Sequence, residues 1–136
     1  MRRLLYAAAL FAVTGCMTDR TATTNPEPSP KLREALAGRT AGPPTSCINL
    51  RDIRSSRIID QSAIIYEMSS RLWYVNMPDG GCPGLRPNRA IVSRTPSTSL
   101  CSGDIIRIID PPLPMDFGAC GLGKFVPYTR QEKHGG

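Results

Sequence analysis

A single histidine, His134, stands near the end of the 136-residue chain. Nucleophilic serine or cysteine catalysis needs a base beside the nucleophile, and one imidazole in a polar terminal stretch is badly placed for that work. Aromatic residues are sparse, with one Trp, three Phe and four Tyr. They do not interleave with basic residues as in single-strand binders, and Lys and Arg form no run. Nucleic acid is therefore not an expected partner. No apolar run reaches the roughly 20 residues that a membrane-crossing helix requires. Close cysteine pairs are missing as well: Cys47, Cys82, Cys101 and Cys120 stand nineteen or more residues apart. Zinc sites want ligands spaced as in C-x-x-C, so neither metal nor cofactor is expected.

The formal charge of +6 invites an anionic partner, but its distribution weakens that reading. Between residues 46 and 128 there are nine Arg and Lys against seven Asp and Glu, a difference of +2. Arg2 and Arg3 lie ahead of an apolar segment and leave with it if it is cleaved. The other charges are spread over the tails.

That N-terminal segment has the parts of an export signal. Arg2 and Arg3 form a positive start, residues 4–13 an apolar stretch of ten, and small residues follow. Val13-Thr14-Gly15-Cys16 then resembles the lipobox of bacterial lipoproteins. The resemblance implies that Cys16 receives a diacylglyceryl group and that signal peptidase II cuts between Gly15 and Cys16. One acyl chain holds a protein at a bilayer only marginally, and two or three make the attachment stable. Met17, rather than Asp, follows the cysteine, which by the sorting pattern of enteric lipoproteins implies the outer membrane, facing the periplasm. The bilayer, reached through acylated Cys16, is thus the first expected partner.

Residues 1–15 are accordingly expected as signal peptide, 16–45 as lipid anchor and flexible linker, 46–128 as a small β domain and 129–136 as a disordered tail. The stretch TDRTATTNPEPSP at 18–30 has too little apolar surface to offset the entropy of ordering it. KLREALAG at 31–38 can form two turns of helix, marginal on its own. From Cys47 onward, short runs rich in Ile, Val, Tyr and Trp alternate with Pro and Gly. Strands are predicted at 47–53, 57–60, 63–68, 72–77, 89–94, 104–109 and 124–128. The period of two at 72–77 puts Trp73, Val75 and Met77 on one face and Leu72, Tyr74 and Asn76 on the other. Ser69-Ser70-Arg71 makes 63–68 and 72–77 a hairpin. The fold expected is all-β: a small, mainly antiparallel, disulfide-stapled sheet or barrel with at most one short helix. Arg-Ile-Ile-Asp occurs at 57–60 and 107–110 with unlike flanks, which fits two strands that each run into an Asp-led turn better than a duplication.

With Cys16 committed to lipid, Cys47, Cys82, Cys101 and Cys120 form an even set in an oxidising compartment, where disulfides are the default. Three pairings are open. The nested one, Cys82 with Cys101 and Cys47 with Cys120, is favoured because it ties the first strand to the last.

No catalytic constellation stands out. Asp52, Asp60, Glu67, Asp79, Asp104, Asp110 and Asp116 keep carboxylate chemistry formally open, although most flank turns, where Asp serves local hydrogen bonding. Residues 118–123 read as a tight glycine-rich loop around Cys120, and 111–114 as a proline connector or polyproline ligand. The loop DGGCPGLRPN at 79–88 presents Leu85 and Arg86 between prolines and is a candidate contact element, with Arg71, Trp73 and Tyr74 extending it. The other reading makes Trp73 core and packs Leu85 beneath its own loop.

Cys47-Ile48, Cys82-Pro-Gly-Leu85, Arg94-Thr95, Leu100-Cys-x-Gly-Asp104 and Cys120-x-Leu-Gly-x-Phe-Val-Pro127 resemble an uncharacterised family of small four-cysteine Gram-negative lipoproteins. That resemblance implies a β domain and no particular activity. The function expected is a membrane-anchored, non-catalytic binding or structural module of the envelope, with a periplasmic protein or envelope polymer as partner. The alternatives are an envelope-polymer hydrolase using Asp residues, or a protease inhibitor presenting 83–87.

Overall fold

A computed structural model of the chain describes residues 27–113 and 115–131. The expected signal peptide, the lipobox with Gly15 and Cys16, most of the tether and His134 lie outside them. Among the described residues the elements are α1 (Pro30–Ala35), β1 (Thr40–Ala41), β2 (Cys47–Asn49), a 3-10 turn (Leu50–Asp52), β3 (Ser55–Ile58), β4 (Ile64–Glu67), β5 (Leu72–Asn76), β6 (Ala90–Ser93), β7 (Ser99–Cys101), β8 (Ile105–Asp110), β9 (Met115–Gly121) and β10 (Phe125–Thr129). The expected class holds: antiparallel sheets, one short helix and two disulfides.

The largest sheet has the order β1-β10-β5-β4-β3, and smaller ones pair β2 with β7 and β8 with both β6 and β9. The β4–β5 hairpin forms where the alternation placed it, with Tyr66 opposite Tyr74 and Glu67 opposite Trp73. Its turn is closed by the Ser69 hydroxyl, which accepts from the N–H groups of Arg71 (3.2 Å) and Leu72 (3.0 Å). One predicted strand is shortened, and one strand forms where a loop was expected. β2 stops at Asn49 because that side chain accepts from the Arg51 N–H and starts the 3-10 turn. β9 runs through the glycine-rich segment read as a loop, because Ile106 pairs with Cys120 and Arg107 with Ala119.

The hairpin strands bury both faces, so the main sheet carries two cores. Ile64, Tyr66 and Phe125 pack with Ile48, Leu100, Ile106 and Leu122 on one side. Ala63, Ile65, Val75 and Trp73 pack with Leu32 and Leu36 on the other. Those leucines belong to α1 and the residue that caps it, so the folded unit begins well before residue 46. Ser29 caps the helix by accepting from the Leu32 N–H at 3.2 Å. β1 then pairs Thr40 with Thr129 and Ala41 with Tyr128, which also carries the fold one residue past 128. The stretch expected as linker up to 45 is therefore structured from about Ser29: a helix too short to stand alone is held by the sheet face it covers.

The cysteine pairing is crossed, not nested. Cys47 bridges Cys101 and Cys82 bridges Cys120. The reason is register: Cys47 stands opposite Cys101 in the β2–β7 ladder. The flanking bonds, Ser102 N–H to Ser46 carbonyl and Leu50 N–H to Thr98 carbonyl, leave 47 and 101 at a non-hydrogen-bonded position, where the two chains approach most closely. Their Cα atoms are 4.0 Å apart.

Candidate functional site

The loop at 79–88 is fastened on three sides. Cys82 is bridged to Cys120 on β9. Arg89 Nη1 donates to the Gly84 carbonyl at 2.6 Å, while its guanidinium lies 3.4 Å from the centre of the Phe117 ring. Gly84 backs directly onto the Phe117 carbonyl, so a Cβ there would overlap backbone. Drawn down in this way, the loop sends Leu85 fully into the larger core. Leu85 is thus a core residue beneath its own loop and not a surface contact. Arg86 remains exposed.

Arg86 and Pro87 form one wall of an open cleft of about 370 Å³, with Ser29, Lys31, Asp60 and Ser62 across from them. Asp60 ends the first Arg-Ile-Ile-Asp stretch and is fully engaged. Ser29 Oγ donates to its Oδ2, and Ser62 donates to Oδ1 through N–H (2.8 Å) and Oγ (2.6 Å). Burial pushes its pKa up, but these donors and the Ala63 N–H together outweigh burial and hold it below the ordinary aspartate value. A carboxylate held ionised with its acceptor positions filled suits a structural clamp, joining the α1 cap to the β3–β4 turn, better than proton transfer.

The other carboxylates of the alternative reading are dispersed. Asp104 accepts from the Cys101 N–H at 2.8 Å and Asp116 pairs with Arg107. Asp52 sits exposed in the 3-10 turn and Asp79 exposed after β5. Arg71 and Tyr74 do not line the cleft beside Arg86. Arg71 lies at the β4–β5 turn, the opposite end of the hairpin from Asp60, and Tyr74 points into the larger core, edge-on to Phe125 at 6.5 Å.

At that opposite end the fold gathers something the linear sequence does not display. Arg39, just past α1, lays its guanidinium 3.4 Å from the Trp73 ring centre, and Arg57 from β3 comes within 4.8 Å of the same ring. Arg39 is fixed there by donating to the carbonyls of Arg71 (3.1 Å) and Ser70 (2.9 Å). Its Nε is buried without a partner among the described residues. Arg57 Nε donates to Glu67 Oε1 at 3.0 Å. Arg130 follows β10 and donates its N–H to the Arg71 carbonyl at 2.9 Å. Burial, then the charge of Arg130, lowers the pKa of Arg39; Glu67 raises it and Arg57 lowers it again. These side chains come from positions 39, 57, 73 and 130, and the only signal for them in the sequence is the period of two that places Trp73 on the α1 face.

Comparison with protein-family models, with curated proteins and with solved structures returns no match.

Proposed function

We propose that the chain is a lipid-anchored protein of the cell envelope, whose folded part is a non-catalytic binding or structural module on the periplasmic side of the outer membrane. The observation that carries this reading is the use of the cysteines. Four of five pair within the domain, as suits an oxidising compartment, and Cys16 is left over at the end of an export signal. A sulfur set aside at that place is best explained by acylation. The engaged carboxylates and the rigid loop favour a module that presents a surface. No helix among the described residues is long and apolar enough to cross a membrane.

Globomycin, which blocks signal peptidase II, tests the anchor. Cells expressing the protein should accumulate the unprocessed form, and labelled fatty acid should enter the wild-type chain but not Cys16→Ser. Normal processing in globomycin, with no label incorporated, would refute the proposal.

A further inference from the structure

The two ends of the β4–β5 hairpin differ in what they present. The chain joins the fold at the β3–β4 end, where Ser29 is bonded to Asp60. α1 then leads away along the sheet and delivers Arg39 to Trp73 at the β4–β5 end. The described chain therefore enters the fold at one pole, and the arginines gather at the other.

Strand register puts them on one face. Trp73 lies between Tyr128 and Glu67 across the sheet, and Arg57 lies one row away opposite Ile65. Arg130, two residues beyond Tyr128, continues the same face. Arg39, Arg57 and Arg130 are three cations, and among the described residues the carboxylate beside them is that of Glu67. Stacking on Trp73 and bonding to two carbonyls hold Arg39 in place, although Arg130 and Arg57 oppose its charge. A fixed excess of positive charge costs stability in the free protein and is relieved by a bound anion. Guanidinium groups match the flat, two-oxygen edge of a carboxylate, and Arg57 and Arg130 are both exposed enough to reach one.

We infer that this face, centred on Arg39, Arg57 and Arg130 around Trp73, binds a carboxylate-bearing polymer of the periplasm, the cell-wall sacculus being the fitting one. The inference rests on the envelope reading above, and the position of the face at the pole away from where the described chain enters the fold favours the wall over the bilayer that holds the lipid.

The test uses the full chain with Cys16→Ser, which has no lipid, so that any binding is the domain's own. It should co-sediment with purified sacculi and be released by salt. Arg57→Gln with Arg130→Gln should weaken binding about ten-fold. Arg94→Gln with Lys124→Gln removes the same charge elsewhere and should leave it unchanged. Urea midpoints of the first pair at or above that of the parent would show that lost binding is not lost folding. Equal loss in both pairs would reduce the effect to net charge and overturn the site. Tighter binding to phosphatidylglycerol vesicles or to a single-stranded oligonucleotide would overturn the choice of polymer, and no sedimentation would overturn the inference outright. None of these outcomes depends on the globomycin result, which concerns the anchor alone.

Discussion

Asn76 has no exposed surface, and its amide is spent on the segment before β10: Nδ2 donates to the Gly123 carbonyl at 2.7 Å and to the Lys124 carbonyl at 3.5 Å, and Oδ1 accepts from the Gly123 N–H at 3.0 Å. The side chain thereby imitates a ladder rung where β5 gives way to the segment before β10. Leucine there would strand two buried backbone groups, so Asn76→Leu should cost about 3 kcal/mol in urea unfolding. Gly123 backs against the Met77 carbonyl too closely for a Cβ, so Gly123→Ala should destabilise as well. Tyr66 is the opposite case. Its hydroxyl is buried with no partner among the described residues, and burial pushes its pKa well above the ordinary tyrosine value. Tyr66→Phe should therefore raise stability, by about 1 kcal/mol. The sign with pH follows. Below about pH 10 the phenol is neutral in both states. Above it the unfolded chain gives up the proton first, and stability falls as pH rises. Chemical denaturation from pH 8 to 11 should show a shallower alkaline loss in Tyr66→Phe than in the parent; equal slopes would mean that the hydroxyl gives up its proton at the same pH folded and unfolded, and that burial does not hold it neutral. At this scale the sequence announced Tyr74 and Asn76 as facing one way, but not that one would meet a ring and the other a backbone.

The elements that were legible are those whose determinants are local. The β4–β5 hairpin follows from alternation and a serine turn, and both lie within fifteen residues. β7 and β9 were not legible, because Ser-Leu-Cys and a run containing Gly118 and Gly121 have little strand preference of their own and are held by their partners. The disulfide pairing failed for the same reason. It depends on which strand lies beside β2, and that is a property of the sheets. The two bridges now differ in setting: Cys47 is exposed at the rim of β2, while Cys82 and Cys120 lie in the larger core. A non-reducing peptide map should join the peptides of Cys47 and Cys101, and those of Cys82 and Cys120. Under limiting dithiol reductant, alkylation should label Cys47 and Cys101 first, because exchange requires access to a sulfur. Replacing Cys82 and Cys120 by alanine should cost roughly 2–4 kcal/mol and free the loop that carries Arg86.

On the scale of the molecule, the division drawn from composition put the working domain at 46–128 and treated what came before as tether. Composition records how apolar a segment is; it does not record what the segment covers. KLREALAG offers little apolar surface, yet Leu32 and Leu36 sit at 1% and 7% exposure over Ala63, Ile65 and Val75. Without them one whole face of the main sheet would be wet. The same misreading hid the basic face, since Arg39 belonged to the supposed linker and +2 was counted without it. A decisive comparison is between chains beginning at Glu27 and at Ser46. The longer should unfold cooperatively, and Leu32→Ala within it should lose about 3 kcal/mol. The shorter lacks α1 and β1, bares the Ile65 and Val75 face and leaves β10 without its edge partner. It should bind hydrophobic dye and lose its sharp thermal transition. If it instead melted as sharply and as high as the longer chain, with no dye bound, the helix would be an ornament on a self-sufficient sheet. Arg39 would then be held at Trp73 only by its own stacking and its two carbonyl bonds.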